Sequence, residues 1–192
     1  MARTLLFAPG AGAPSTSGWM TAWAERLEEL GRVVAMDYPY MLAGRKRPDP
    51  QPKLIAVHRT ELDKISDRPV VLIGKSMGSR IGCHVSLDAK VDALVCFGYP
   101  LRSPSGALRD QVLLELTTPI LFIQGTKDTK CPLEELDDVR KRMRAPSTVH
   151  VVEGGDHSLA ISRGKSKREQ QAAVDNAILA AVRTHLTHFA PL

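Results

Sequence analysis

Six short apolar runs recur along the chain, each followed by a longer stretch with helical spacing. They are Thr4–Ala8, Val33–Met36, Val70–Ile73, Ala93–Phe97, Ile120–Gln124 and Val149–Val152. Most lack polar alternation, as strands covered on both faces of a parallel sheet do. Between them, Trp19/Met20, Trp23, Leu27 and Leu30 make an apolar stripe closed by Gly31. Met77–Leu87 and Leu133–Met143 read as two further helices, and Glu169–His188 as a last one with Val174, Ile178, Ala181 and His185 on one face. Strands alternating with helices predict an α/β fold whose mostly parallel sheet is joined by right-handed crossovers. The 192 residues fit a single domain spanning 1–192, with no internal repeat and no shift of composition to mark a boundary. Pro39–Pro52 and Tyr99–Ala107, rich in Pro and Gly, read as long loops.

Composition narrows the class. With 43% hydrophobic and 24% charged residues the chain can fill a core, which excludes a disordered or collagenous protein. No apolar run approaches the roughly 20 residues of a membrane span. The opening MARTLLFAPGAGAP breaks at Pro and Gly too early for a signal-peptide core. Cys83, Cys96 and Cys131 are sparse and lack CxxC spacing, so neither disulfides nor zinc are indicated. Cys83 and Cys96 sit in apolar surroundings and read as core residues. A cytoplasmic setting is the expectation. The net charge of +5 permits anionic partners, but no nucleic-acid motif or aromatic interleaving accompanies it, and specific nucleic-acid binding is not expected.

Residues 70–78, VVLIGKSMG, carry the chemistry: a buried strand, the turn Gly74-Lys75-Ser76-Met77-Gly78, then a helix. A chain that lifts a Ser hydroxyl above the carboxyl edge of a sheet must turn sharply there. Such a turn strains the Ser backbone and crowds the positions two before and two after it, which accounts for Gly at both. The N–H of Met77 then faces a bound carbonyl oxygen near the positive end of the helix. A Ser nucleophile needs a base, and the base an orienting carboxylate. Strand Ile120–Gln124 runs into Gly125-Thr126-Lys127-Asp128, and strand Val149–Val152 into Gly154-Gly155-Asp156-His157. Both loops leave carboxyl ends of strands, where active groups of open α/β sheets collect. Ser76, Asp128 and His157 are thus the catalytic candidates, with Asp156 and Asp37 as competing acids. The loop Pro9-Gly10-Ala11-Gly12-Ala13 after the first strand offers a second oxyanion donor, the Ala11 N–H.

On these segments the sequence resembles the α/β-hydrolase superfamily over nearly its whole length. PGAG stands for the oxyanion loop, GKSMG for the nucleophile elbow, QGTKD for the acid and GGDHS for the base. Within it, MDYPYMLAGRKRPDP, the elbow, GYPL and LFIQGTKD look like the small dienelactone-hydrolase-like group that includes the testis-expressed hydrolase-like proteins. Pro9 stands where many relatives have His, and Ser76 where dienelactone hydrolase has Cys. The resemblance implies a minimal α/β-hydrolase fold of about six strands without a cap domain. It also implies hydrolysis of a small ester or thioester through an acyl-enzyme on Ser76.

Candidate substrate contacts lie in the loops at the same sheet edge: Gly10, Lys75, Tyr38, Tyr40, Arg45 and Tyr99. The run Arg45-Lys46-Arg47 has two readings, a recruiter of anionic substrate or a solvated loop, and the second is favoured. Arg163, Lys165, Lys167 and Arg168 pose the same choice. His58, His84, His150, His185 and His188 lack a strand-end motif and read as structural. No cofactor or metal is implied, and the chain is expected as a monomer or homodimer. A reading of another class is a hydrolase-like scaffold used for protein interaction, with little or no turnover.

Overall fold

The computed structural model describes residues 3–161 and 167–192, with the backbone alone at 167 and 168. Arg163 and Lys165, and the side chains of Lys167 and Arg168, lie outside the described residues. Six strands are described: β1 (Thr4–Ala8), β2 (Arg32–Ala35), β3 (Val70–Lys75), β4 (Ala93–Phe97), β5 (Ile120–Gly125) and β6 (Ser147–Val152). They form one sheet in the order β2-β1-β3-β4-β5-β6, with every pairing parallel.

The apolar runs lack polar alternation because both faces of the sheet are covered. Along β1, Leu6 and Ala8 join one core while Leu5 and Phe7 join the other. In β3, Val70 and Leu72 face one way and Val71 and Ile73 the opposite way. Helices α1 (Gly18–Leu27) and α7 (Lys167–Phe189) cover one face with Met20, Trp23, Leu27, Ile178, Val182 and Leu186. Helices α3 (Gln51–Asp63), α4 (Met77–Ser86), α5 (Gln111–Glu115) and α6 (Leu133–Arg140) bring side chains such as Leu54, Ile81, Leu113 and Leu136 to the other. Edge strands β2 and β6 are more exposed, which matches their weaker apolar character.

The stretch 39–52, expected as a long loop, is partly helical: α2 (Pro39–Leu42) is a single turn, and α3 begins at Gln51. Prolines misled the expectation. A helix's first turn has no intrahelical acceptors for its N–H groups, so Pro39 and Pro52 cost their helices nothing there. The stripe Leu54, His58, Leu62 then buries at helical spacing. Helix α5 also lies in a segment without strong periodicity.

The strand order reverses between β1 and β3, since the chain crosses from β1 to β2 on one side and returns to β3 on the other. The loops leaving β1 and β3 therefore diverge to opposite faces and leave a crevice between them. The connection from β4 to β5 carries only α5, and among the described residues no separate cap covers this edge. None of the described helices is long and apolar enough to cross a membrane.

At the opposite edge, one side chain ties three elements. Buried Arg3 donates to the carbonyls of Leu30 (2.7 Å), Ala190 (2.7 Å) and Leu186 (3.3 Å). These carbonyls follow α1 or end α7, where free acceptors and the negative end of the helix dipole favour a cation. Arg3→Met keeps the apolar stem and strands the acceptors. It is expected to lower stability by about 1.5–3 kcal/mol, the range for hydrogen bonds to charged groups, measured by urea unfolding.

Candidate active site

Ser76 caps α4 with φ 49° and ψ −110°, a backbone conformation L-residues rarely adopt. Two glycines permit it. A Cβ at Gly74 would overlap the backbone of Gly78 and Ser79, and one at Gly78 would sit 2.5 Å from the Ala8 carbonyl oxygen. The Ser76 N–H is satisfied by the Phe97 carbonyl at 2.9 Å, so the strained residue is pinned to β4 and its hydroxyl is left above the sheet.

His157 and Asp128 arrive on two loops that dock against each other. Lys127 N–H donates to the Gly155 carbonyl (2.9 Å), Thr126 N–H to Val152 (3.1 Å), and Gly154 N–H to the Thr126 hydroxyl (2.8 Å). A Cβ at Gly125 would overlap the Gly155 carbonyl, so glycine there lets the loops meet. The result is a continuous hydrogen-bonded chain. The Ser76 Oγ lies 2.8 Å from His157 Nε2, and His157 Nδ1 lies 2.7 Å from Asp128 Oδ2. Asp128 also accepts from the Lys130 N–H (2.9 Å) and from Gln124 Nε2 (2.6 Å).

Burial alone would push the Asp128 carboxyl up. The hydrogen bond and charge of His157, with the donors from Lys130 and Gln124, outweigh it and hold the group below its ordinary value of 3.8. The competing acids are engaged elsewhere. Asp156 accepts from the N–H groups of Ser158 (2.7 Å) and Ala160 (3.0 Å), and Asp37 from the N–H (2.7 Å) and hydroxyl (2.8 Å) of Ser15.

Ser76 opens on two cavities. The larger, about 710 Å³, is bounded near Ser76 by Ala11, Met77 and Arg80. The smaller, about 310 Å³, holds His157, Trp19 and the Gly10–Ala13 loop. The N–H groups of Met77 and Ala11 have no hydrogen-bond partner among the described residues, and both residues border the larger cavity. A cluster of three or more His, Cys, Asp or Glu side chains placed to hold a metal is not found among the described residues.

A doubly covered parallel sheet, a strained Ser at the strand-to-helix turn and its His and Asp on later strand ends are now joined by a family match. Residues 1–185 match the family described as Alpha/beta hydrolase domain. The chain belongs to the alpha/beta hydrolase family. Similar solved folds include an alpha-beta serine hydrolase homologue from Coxiella burnetii, 20% identical, covering 93% of this chain and 84% of that one at a TM-score of 0.70. Est1E from Butyrivibrio proteoclasticus with ferulic acid bound is 13% identical, covering 97% and 89%, also at 0.70. A cold-adapted esterase from an Arctic intertidal metagenomic library is 17% identical, covering 98% and 83% at 0.70. At these identities the likeness is one of fold.

The remaining sequence candidates of this alpha/beta hydrolase fall in three groups. Gly10 borders the smaller cavity, its absent Cβ 3.5 Å from the Cβ of Ser76. Lys75 borders it too, but its ammonium is spent on the His157 carbonyl and lies 5.2 Å from the Trp19 ring centroid. Burial pulls that amine down to about 8. The three tyrosines are fully or almost fully buried and border neither cavity, which corrects their reading as substrate contacts. Each hydroxyl is spent inside the protein: Tyr38 on His58 Nδ1 (3.2 Å), Tyr99 on the Arg109 carbonyl (3.2 Å), Tyr40 on the Ala11 carbonyl (3.0 Å). Tyr40 therefore holds the Ala11 loop from behind. Arg45 is likewise corrected: it borders neither cavity and pairs with Asp49 at 2.9 Å.

Sequence reasoning missed Gln124 as a support; Trp19, read as a core residue that could also wall the site, borders the smaller cavity, but its bond to the His157 loop was not foreseen. Gln124 ends an apolar run as its one polar residue, a signal that was present. Trp19 Nε1 donates to the Ser158 carbonyl (3.0 Å) beside His157. That contact spans elements far apart in sequence and leaves no local trace.

The Asp128 shift has a consequence for stability. A carboxyl held low in the fold contributes stability above its unfolded value of about 3.8, and loses it as pH falls through the folded value. Asp128→Asn removes that titration. Its unfolding free energy is expected to fall less steeply than that of wild type below pH 4, measured by urea titrations between pH 2.5 and 6.

Proposed function

We propose that this alpha/beta hydrolase is a serine hydrolase that cleaves small esters or thioesters through an acyl-enzyme. The observation that carries the reading is the unbroken hydrogen-bonded chain from Ser76 through His157 to Asp128, ending at a hydroxyl open to two cavities. The esterase neighbours, one with ferulic acid bound, support an ester bond as the target.

In this scheme the Ser76 Oγ attacks the carbonyl carbon while His157 Nε2 takes its proton. Ionised Asp128 keeps the imidazole oriented through Nδ1 and offsets the charge it gains. The carbonyl oxygen becomes an oxyanion and takes hydrogen bonds from the free N–H groups of Met77 and Ala11. These donors are already in place and need no reorganisation. As the tetrahedral species collapses, His157 returns its proton to the departing alcohol or thiol. Water then attacks the acyl carbon with His157 as base, releasing the carboxylic acid and restoring Ser76. The scheme calls on no metal or organic cofactor. An interaction scaffold without turnover would be favoured by a Ser76 sealed from solvent, whereas Ser76 borders two clefts.

The decisive test is covalent labelling with a fluorophosphonate probe. Wild type should label and Ser76→Ala should not. A folded wild type that stays unlabelled, or equal labelling of the variant, removes Ser76 as nucleophile. In p-nitrophenyl butyrate hydrolysis, Asp128→Asn should lower kcat about a thousandfold or more. His157→Ala should do at least as much, and unchanged turnover in it would remove the base assignment.

A further inference from the structure

The two cavities at Ser76 differ in chemistry. Only the smaller is bordered by His157. Because His157 hands its proton to the leaving group, that group departs through the smaller cavity, and the larger one holds the acyl part. The wall of the larger cavity carries Arg80, Arg102, Arg109 and Lys130 against one acid, Asp49.

These charges are not equally free. Asp49 is neutralised from the loop side by Arg45 (2.9 Å) and Lys53 (3.3 Å), neither of which borders the cavity. Arg102 is held by Glu135 and by the Gly106 carbonyl. The guanidinium of Arg109 and the ammonium of Lys130 make no hydrogen bond or ion pair among the described residues. Arg80 has no carboxylate partner either: it donates to the Gln51 amide oxygen, and its Nε is buried without a partner. Burial, and next the charge of Arg109, both pull the Arg80 guanidinium below its ordinary pKa. Two arginines thus border one cavity without a carboxylate partner among the described residues. An anion bound there would offset the repulsion between two such guanidiniums.

From this geometry we infer that the preferred substrate is an ester or thioester whose acyl chain ends in a second carboxylate, bound by Arg80 and Arg109 with Lys130 at the cavity edge. The planar fork of a guanidinium suits a carboxylate, and two such forks can hold both its oxygens. Arg80 lies one helical turn beyond Ser76 and both border the larger cavity, so the short dicarboxylate chains, succinyl through adipyl, are the ones to compare. Ser76 displaces the alcohol or thiol, which leaves with the proton from His157. Water then supplies hydroxide to the acyl carbon and a proton back to Ser76 by way of His157. The products are a dicarboxylate and the free alcohol or thiol. The inference rests on the hydrolase reading for its catalytic step, but the anion site has its own readout.

The experiment compares kcat/KM for p-nitrophenyl half-esters of succinate, glutarate and adipate with neutral p-nitrophenyl esters of equal acyl length, at low salt. Wild type should favour the best half-ester by about ten- to hundredfold, the range of one or two charge-assisted hydrogen bonds. Arg109→Gln and Arg80→Gln should bring that ratio towards one, and 0.5 M salt should reduce it in wild type. Arg59→Gln, which loses a charge paired with Asp88 and bordering neither cavity, should leave the ratio unchanged. Calorimetric titration with adipate alone should detect binding to wild type and to Ser76→Ala, and not to Arg109→Gln. Turnover of neutral esters without preference for half-esters overturns the anion pocket and leaves hydrolysis standing. Adipate bound without turnover of any ester upholds the pocket and overturns hydrolysis. If adipate fails to bind wild type, or binds Arg109→Gln as tightly, the pocket is overturned whatever the kinetics.

Discussion

The turn from β3 into α4 is the constraint on which the rest of the site depends. It holds Ser76 at a positive φ that costs of order 1–3 kcal/mol and persists only where the surroundings enforce it. Enforcement comes from three sides. The Phe97 carbonyl takes the Ser76 N–H, the elbow packs on itself where Gly74 lacks a side chain, and Gly78 presses α4 against the end of β1. That last contact packs the start of α4 on the loop leaving β1, and Ala11 and Met77 both border the larger cavity beside Ser76. The oxyanion donors proposed for this site would therefore be a by-product of the packing that imposes the strain. Tyr40 completes the clamp by fixing the Ala11 carbonyl from the core side.

The sheet supplies the second requirement, a fixed distance between residues that enter the chain far apart. Ser76 follows β3, Asp128 follows β5 and His157 follows β6. In a parallel sheet these carboxyl ends lie along one edge. Glycine at 125 then lets its loop approach the Gly155 carbonyl, and glycine at 155 lets the His157 loop fold back on Val152. His157 is also held from beneath through main-chain carbonyls: Lys75 takes its own and Trp19 that of Ser158. The side chain beside Ser76 in sequence is thus spent on positioning His157. Leu159, another residue with positive φ, anchors the same loop by burying its side chain in the α1/α7 core.

Much of this is legible in the sequence alone. Strand positions, the α/β class and the long helices follow from periodicity, because doubly buried strands write their burial into every residue. The runs beginning at Thr4 and Ala93 have the same limits in sequence and in structure. Helix α3 was obscured by prolines that a first turn tolerates, and α5 is too short for periodicity to register. At the site, residues whose backbone must do something special, Gly74, Ser76 and Gly78, were legible because the requirement is local. Residues whose role is decided by direction were not. Tyr38 and Tyr99 in loops, and Tyr40 in α2, stand at the right edge of the sheet, but turn inward to meet partners inside the protein. Proximity along the chain to a strand end fixes where a backbone emerges, not which way its side chain leaves.

The same distinction reassigns the positive charge. In the sequence the conspicuous cluster is Arg45-Lys46-Arg47, and a run of like charges invites a role by its density alone. In the fold, Arg45 cancels Asp49 from outside, which removes the one carboxylate that would otherwise balance the larger cavity. The charges left to act inside it, on Arg80, Arg109 and Lys130, come from separate segments, none of them basic as a run. A loop ion pair therefore has an effect at a distance from its own position: by occupying Asp49, Arg45 leaves the arginines inside without an internal counter-ion. The excess of +5 over the whole chain says little about function. What matters is that three of those charges border the cleft beside Ser76 without a carboxylate partner among the described residues, and that one of them, Arg80, is also partly buried.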